Sequence, residues 1–268
     1  MLFALTRAVS PAFDRCQLTY LPRVPIDLER ARRQHDAYEW ALVELGCTVR
    51  RLDSAPEMPD SVFVEDTAVV FPEGAVITRP GAEARRLETP AVAGALARLG
   101  VPQHHIVAPG TLDGGDVLVV DRRVFIGVSA RTNVEGSDQM RRLIEPLGYT
   151  ACAVPIDGCL HLKSAATVVA PQTLLINRDW VRADAFAGLT LIDVDPAEPH
   201  AANALRLAGP KEPALRDDGV VVYPAAFPKT RRRLERHGLR VRPVEVDELA
   251  KAEGGVTCCS LIVELRAG

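Results

Sequence analysis

The feature that most constrains this chain is a repeated segment in which an amphipathic helix stops at a glycine and a short apolar strand follows. Glycine is the usual residue just past a helix C-terminus, because the backbone turns left-handed there. Self-similarity at a period of about 50 residues is typical of radial or stacked repeats. We therefore predict five copies of one unit, with their glycines at Gly46, Gly100, Gly148, Gly188 and Gly238.

Strand pairs are expected before the helices. The clearest are 62–71 with 75–78, 116–120 with 124–128 and 166–170 with 173–176; a further strand is expected at 220–223. Helices of about 12 to 20 residues are expected between the strands, for example at 27–45 and 82–99. Each unit then has the order strand, strand, helix, strand.

A doubly wound parallel sheet is the main competing architecture, because strands alternate with helices. It fits less well, since the strands come in hairpin-like pairs and no G-x-G-x-x-G motif follows the first strand. We therefore predict an α/β fold, a five-bladed α/β propeller of pseudo-symmetric ββαβ units. With no linker or shift in composition, residues 1–268 are expected to form a single domain.

Composition excludes several classes of protein. Hydrophobic residues make up 47% of the 268 and the net charge is −3, which argues against disorder. No apolar run approaches the roughly 20 residues that span a bilayer. The first ten residues lack the apolar stretch of a signal peptide. We expect a soluble, cytoplasmic protein without membrane contact. The basic triplet 231–233 indicates a solvated helix face rather than a nucleic-acid site.

The six cysteines do not indicate a disulfide scaffold in a chain this long. None forms a C-x-x-C pair. Cys152, Cys159 and His161 are poorly spaced for zinc, so no metal site is predicted.

The segment 254–263 runs from paired glycines through Cys258 and Cys259 into an apolar run. It has the pattern of a strand after a sharp glycine turn. Neighbouring strand side chains point to opposite faces, so one sulfur should face the core and the other a pocket. We predict that Cys258 is a catalytic nucleophile, although alternation alone does not choose between the two cysteines.

A cysteine nucleophile needs an acid or base partner, usually a histidine oriented by a carboxylate. Among the six histidines, His35 and His237 lie on predicted helices and are expected at the surface. His161 lies in an ordered-looking stretch before a strand pair and is the candidate partner. The alternative is a hydrogen-bonded histidine near the core.

Acidic residues cluster at 60–66 and at 112–117. Acids within an apolar run are costly to bury unless they are paired or hydrogen-bonded. Glu65 and Asp66 are consecutive, so both can face one pocket only if the strand bends or bulges. The second cluster surrounds a double glycine, and a plain turn is the alternative there.

Arginines follow each acidic cluster, and an arginine guanidinium can bind a carboxylate through two parallel hydrogen bonds. Each arginine alone is more simply a surface residue. Together, the acids, arginines and a Cys/His pair predict a ligand with one cationic and one anionic end. Free arginine or a derivative fits that description.

Six segments, taken in order, resemble the dimethylarginine dimethylaminohydrolases of the guanidine-modifying (pentein) superfamily. The match covers nearly the whole chain, and as an ordered set it is highly specific. The family's five-bladed α/β propeller agrees with the five repeats. The segments are FVED at 63–66, ITRPG at 77–81, LDGGDV at 112–117, GVSARTN at 127–133, HLKS at 161–164 and TCCS at 257–260.

The resemblance implies a role for each matched residue. Cys258 would be the nucleophile, with Cys259 its non-catalytic neighbour; His161 would be general acid and base, and Asp113 would orient it. No metal or organic cofactor is implied. The implied substrate contacts are Glu65 and Asp66 to the guanidinium, Asp60 with the backbone of Leu18 (on a mobile lid loop) to the α-amino group, and Arg85 and Arg131 to the α-carboxylate.

The activity implied is hydrolysis of ω-N-methylated arginines, asymmetric dimethylarginine and monomethylarginine, to citrulline and methylamines. It would pass through a covalent S-alkylthiouronium on cysteine. The only partner expected is this small-molecule substrate, and a homodimer stays open as an assembly. Ala252 and Glu253 depart from the family pattern and leave the pocket shape open. An arginine deiminase, an amidinotransferase or an inactive ligand-binding protein on the same scaffold are the alternatives.

Overall fold

The computed structural model describes residues 1–208 and 219–265. Within these ranges the strands form five three-stranded sheets. The strands are β1 (Leu2–Arg7), β2 (Thr48–Leu52), β3 (Ala68–Phe71), β4 (Gly74–Ile77), β5 (Gln103–His105), β6 (Val117–Val120), β7 (Arg123–Val128), β8 (Thr150–Pro155), β9 (Ala166–Ala170), β10 (Thr173–Ile176), β11 (Thr190–Asp193), β12 (Leu205–Leu207), β13 (Val220–Pro224), β14 (Val241–Val244) and β15 (Leu261–Glu264).

The helices lie between the sheets. The α-helices in the described ranges are α1 (Leu28–Glu44), α2 (Thr89–Arg98), α3 (Val134–Ile144), α4 (Leu162–Ala165), α5 (Pro228–Arg236) and α6 (Asp247–Ala250). Short 3₁₀ helices lie at Phe13–Arg15, Val64–Thr67, Glu83–Glu88, Gly114–Asp116, Glu145–Leu147 and Ala183–Phe186.

All five sheets share one topology. The first two strands pair antiparallel, and the strand after the crossover pairs parallel with the second, as in β6–β7–β8. In one sheet the first strand comes from the C-terminus of the described chain: β1 pairs antiparallel with β15 and parallel with β2. The C-terminal strand thus completes the blade that the N-terminal strand begins. The predicted α/β architecture is confirmed: five mixed sheets form a five-bladed propeller.

The five repeat glycines all adopt the left-handed backbone that their pattern predicted. Their φ angles lie between 76° and 92°, with no neighbouring atom near the place of a Cβ. Glycine is required at these positions by backbone conformation and not by crowding.

Two of the predicted helices differ from the observed ones. The expected helix at 82–99 is a 3₁₀ helix followed by α2, because Pro90 at the start of α2 lacks the N–H that would continue an α-helix. The fourth repeat has only the 3₁₀ helix Ala183–Phe186 instead of a long helix. The helix lengths were therefore overestimated for these units.

The predicted surface position was correct for one of the two histidines on predicted helices and wrong for the other. His237 is exposed, as expected, but His35 is only 1% exposed. It lies on the inner face of α1, with Nδ1 3.6 Å from Glu39. The prediction of a surface position for His35 was wrong. None of the helices in the described ranges has the length and apolar character needed to cross a bilayer.

Candidate active site

The site is built from equivalent positions in successive blades. Asp66 lies just before β3, Asp113 just before the turn that leads into β6, His161 just before α4 and β9, and Cys258 just before β15. Because the blades share one topology, these approaches to the first strand meet at the same end of the propeller. The fivefold repeat thus explains how residues far apart in sequence converge.

The two cysteines lie in a turn and not in the strand, which corrects the predicted strand at 254–263. The strand begins only at Leu261. Cys259 is fully buried, with its sulfur 3.5 Å from the carbonyl oxygen of Gly255. Cys258 is half-buried, and the backbone N–H of Gly255 donates to its sulfur at 3.2 Å. The turn, rather than strand alternation, separates their environments.

The first acidic cluster contains a bend, which the sequence required if Glu65 and Asp66 were both to face one pocket. Residues Val64–Thr67 form a 3₁₀ helix before β3, where a continuous strand was expected at 62–71. Glu65 and Asp66 are both buried at this bend. The backbone N–H of Glu65 also donates to the carbonyl oxygen of Cys258 at 3.1 Å, which ties the bend to the cysteine turn.

His161 is held between two aspartates. Its Nε2 lies 3.0 Å from Asp113 Oδ2, and its Nδ1 lies 3.8 Å from Asp66 Oδ1. The ring also packs on Gly115, where any Cβ would lie 2.7 Å from Nδ1. Burial lowers the pKa of His161, but the neighbouring carboxylates, Asp66 first, outweigh it and raise the pKa to about 9. The ring is therefore an imidazolium near neutral pH.

The Cys258 thiol also favours its protonated form, which for a thiol is the neutral one. Burial, and then the negative charges of Glu65 and Asp66, raise the pKa of Cys258 far above its ordinary value. With no ligand bound, the sulfur is held as a thiol. An incoming cation would offset the two carboxylates and favour the thiolate.

Cys258 and His161 both line a small cavity of about 20 Å³. Asp60, Asp66 and Arg131 line it as well. Its lining therefore contains both acidic residues and arginines, Arg85 among them, which suits a ligand that carries both charges. A cavity of this size holds about one water molecule, so a larger ligand requires movement of the covering loop.

The covering loop, which we call the lid, consists of residues 17–21 and includes Leu18. The backbone N–H of Gln17 donates to both oxygens of Asp60, at 3.1 and 3.3 Å. Leu18 is half-buried and packs against the core cluster beneath. Gln17, not Leu18, is among the residues that line the small cavity. Gln17 thus ties the loop to Asp60, and the contact of the Leu18 backbone with a substrate amino group stays a prediction.

Glu65, a candidate contact to the guanidinium, already has two side-chain partners within the protein. Glu65 accepts hydrogen bonds from Lys163 Nζ at 2.6 Å and from Thr257 Oγ1 at 2.6 Å. It is not among the residues that line the small cavity. Its contact with a guanidinium stays a prediction.

Arg85 is 4% exposed and lines the small cavity, but most of its guanidinium N–H groups already have acceptors within the protein. It donates to Asp66 at 2.5 Å and to Glu88 at 2.8 Å, and also to two carbonyl oxygens. Arg131 differs, since the contacts that its guanidinium makes with the described residues are longer: 3.8 Å to Asp113 and 3.4 Å to Thr19. Arg131 is the freer cation.

Asp116 lies in the LDGGDV segment, but its role was not predicted from the sequence. Asp116 is fully buried and accepts hydrogen bonds from the Leu162 N–H and from the hydroxyls of Ser129 and Thr132. It therefore fixes the backbone next to His161. The signal available was the second acid after a double glycine.

Asn203 was missed altogether. It lies before β12, at the fifth equivalent position of the propeller. Its side chain donates to Thr257 Oγ1 and to the Lys163 carbonyl oxygen and accepts from the Thr257 N–H. It thereby holds the cysteine turn against α4. Only the repeat alignment could have identified it.

The described residues contain two groups whose geometry could hold a metal ion. They are Asp66, Asp113 and His161, and His35, Asp36 and Glu39; neither includes Cys152 or Cys159. In the first group Arg85 and Arg131 already approach the carboxylates. In the second group Arg51 pairs with Asp36 and Glu39. Arginine cations thus already offset part of the carboxylate charge in both groups.

Comparison with known families agrees with this arrangement. The family described as "N,N dimethylarginine dimethylhydrolase, eukaryotic" matches residues 18–266. The chain belongs to the dimethylarginine dimethylaminohydrolase family. The family assignment drawn from the sequence segments is confirmed, and with it the pentein fold.

Relatives in this family are similar over nearly their whole length. The chain is 39% identical to an N(G),N(G)-dimethylarginine dimethylaminohydrolase of Streptomyces coelicolor over 96% of this chain and 95% of the relative. It is 36% identical to that of Pseudomonas aeruginosa over 88% and 89%. The solved Pseudomonas aeruginosa structure of a cysteine-to-serine mutant with citrulline superposes with a TM-score of 0.87, at 32% identity and covering 97% of this chain and 98% of the other.

Proposed function

We propose that this protein hydrolyses ω-N-methylated arginines to citrulline and methylamines through a covalent S-alkylthiouronium on Cys258. The observation that carries the proposal is the meeting of Cys258 with the His161–Asp113 pair and Asp66 around one cavity. Membership of the family and the citrulline complex of a relative support it.

Binding would use the charges at the cavity. Asp66, with Glu65 beside it, attracts the guanidinium, and Asp60 with the lid backbone near Leu18 takes the α-amino group. Arg131 and Arg85 bind the α-carboxylate through hydrogen bonds from their guanidinium groups. The lid must open for entry, because the cavity is smaller than the ligand. Closure would then exclude bulk water from the reacting atoms.

Chemistry would begin when the bound guanidinium offsets the acids that raise the pKa of Cys258. The thiol then loses its proton to solvent, and the thiolate attacks the guanidinium carbon to give a tetrahedral adduct. His161, held as an imidazolium, protonates the leaving methylamine or dimethylamine. The S-alkylthiouronium remains on Cys258.

Hydrolysis would use the same histidine in reverse. Neutral His161 takes a proton from water, and the resulting hydroxide attacks the thiouronium carbon. Collapse of the second adduct breaks the carbon–sulfur bond and restores the thiolate, and the protonated ureido group loses its proton to water as citrulline is released. Asp113 keeps the ring oriented through its hydrogen bond to Nε2.

The test is citrulline formation from asymmetric dimethylarginine, monomethylarginine and arginine by the purified protein. The methylated substrates should give citrulline, and Cys258→Ser should reduce kcat by at least about 1,000-fold. Cys152→Ser is the matched control, because Cys152 is exposed and lies outside the cavity lining. Full activity of Cys258→Ser would remove the nucleophile assignment.

The same assay separates the related chemistries. Faster turnover of arginine than of its methylated forms would favour a deiminase. Transfer of the amidino group to an added amine instead of water would favour an amidinotransferase. Trapping the intermediate by acid quench and intact mass should show a covalent adduct on the wild-type chain and none on Cys258→Ser.

A further inference from the structure

A second cavity meets the small one at the nucleophile. Its volume is about 280 Å³, close to the lower limit of roughly 300 Å³ for small-molecule pockets. The two cavities share four lining residues, which are Leu160, Glu253, Gly254 and Cys258. We call the larger cavity the side chamber. Its position gives it access to the reacting sulfur.

The chamber walls are mainly apolar and come from two blades and the lid. Trp180 follows β10 and Phe227 follows β13. Val246 immediately precedes α6, Ala250 is the last residue of α6, and Leu21 belongs to the lid. These side chains would gain from covering an apolar group, since buried apolar area drives binding.

The aromatic wall of the side chamber is fixed in place. The Trp180 ring packs on His200 with centroids 5.0 Å apart. Its edge also lies against Gly158, where a Cβ would come within 3.0 Å of the indole. The indole therefore has a defined position, and the chamber has a fixed aromatic face.

The two acidic residues in the chamber lining, Asp247 and Glu253, already have partners within the protein. Asp247 pairs with Arg30 at 2.8 Å and accepts from Gln34 at 2.5 Å. Glu253 accepts the backbone N–H groups of the lid residues Thr19, Tyr20 and Leu21 at 2.5–3.1 Å. Among the described residues of the lining there is no lysine or arginine to hold an anion. The lining thus fits an uncharged apolar group.

We propose that the side chamber is a subsite for an apolar alkyl or aryl substituent on the guanidine of the substrate. The proposal rests on the proposed function. The carbon that bonds to Cys258 lies where the two cavities meet, and a substituent on its nitrogen begins two bonds from that carbon. The charged amino-acid end stays in the small cavity, and the substituent extends past Leu160 into the chamber. The substrate class therefore extends beyond methylated guanidines to larger N-substituents.

A turnover assay tests this with ω-N-methylarginine and ω-N-butylarginine, both read out as citrulline. Each buried methylene is worth roughly a fourfold change in affinity, so three can offset the cost of a larger group. We expect kcat/KM for the butyl substrate within about tenfold of that for the methyl substrate. Ala250→Leu, which puts a larger side chain into the chamber and narrows it, should lower the butyl value at least tenfold and the methyl value at most twofold. Ala97→Leu, an exposed position on α2, is the matched control.

A binding assay reads the chamber without turnover. The chain has two tryptophans, and Trp40 is 62% exposed on α1. In Trp40→Phe/Cys258→Ser protein, Trp180 is the remaining reporter. Butylarginine should shift its emission saturably, Ala250→Leu should weaken this binding at least tenfold, and methylarginine should give a smaller shift.

The outcomes separate the two proposals. If methylarginine is hydrolysed while butylarginine is more than 100-fold poorer and leaves Trp180 unchanged, the subsite is refuted and the proposed function stands. If neither substrate gives citrulline, the proposed function fails, and the Trp180 titration alone decides the subsite. A Trp180 response to a methylarginine-containing peptide, but not to free butylarginine, would also refute the proposal.

Discussion

Replacing Arg85 should destabilise the protein far more than replacing its neighbour Arg86. Arg85 is 4% exposed, and its side chain pairs with the buried carboxylates of Asp66 and Glu88. Removing one partner of a buried ion pair costs about 3–5 kcal/mol, because a charge is left buried and unpaired. Arg85→Ala should therefore lower the free energy of unfolding by about that amount and Tm by roughly 6–20 °C.

Arg86 gives the matched control. It donates to the Pro80 carbonyl oxygen and, at 3.4 Å, to the exposed Glu83. Surface pairs contribute about 0–1 kcal/mol, so Arg86→Ala should fall within that range. Urea unfolding of both variants, followed by circular dichroism, gives the comparison.

The loss in Arg85→Ala should also depend on pH. Burial raises the pKa of Glu88, and Arg85 opposes that rise. Without Arg85 the folded-state pKa of Glu88 rises further above its unfolded value, so the carboxyl favours folding when protonated and opposes it when ionised. The destabilisation should then be larger at pH 8 than at pH 5. A loss below about 1 kcal/mol at pH 8, or equal losses in Arg85→Ala and Arg86→Ala, would refute the reasoning.

Three further predictions concern the reacting groups and the lid. Glu65→Gln should speed iodoacetamide labelling of Cys258 in the free protein at pH 7, because burial and then Glu65 raise the thiol pKa; an unchanged rate would contradict this. Burial lowers the pKa of His161, and Asp66 and Asp113 raise it to about 9, so turnover that needs the imidazolium should fall as pH rises through about 9. Asp66→Asn should shift this limb to lower pH in the pH–rate profile. Glu253→Gln should weaken the hydrogen bonds that hold the lid, so KM should rise while kcat stays within a few-fold. Hydrogen exchange at residues 19–21 should become faster; unaltered exchange would contradict the role of Glu253 in holding the lid.

The sequence predicted the repeat well because backbone geometry restricts residue choice there. Only glycine occupies the left-handed positions without strain, so Gly46 and its four counterparts mark the helix ends in the sequence itself. The bend at Glu65 and Asp66 was predictable for a similar reason, since two adjacent buried acids cannot share one side of a regular strand.

Other features depend on tertiary structure. The apolar pattern of the last strand continues through the cysteine turn, so alternation was applied to Cys258 and Cys259 where the chain is not extended. His35 stands among charged residues of α1, and only packing shows that it faces inward. Asn203 lies between alanines and gives no local signal; its importance follows from its place in the fifth blade.

The charges around Cys258 connect binding, activation and release in the proposed reaction. In the empty site, burial and then the carboxylates of Glu65 and Asp66 keep the sulfur protonated, so the thiol is protected from unwanted reactions. A guanidinium is attracted by the same carboxylates and, once bound, offsets them, so that the thiolate forms when its substrate is present. The ureido group of citrulline is neutral, and hydrolysis therefore removes the attraction that held the guanidinium end. The product should bind more weakly than the substrate for that reason, although both keep the same amino-acid end beside Asp60 and Arg131.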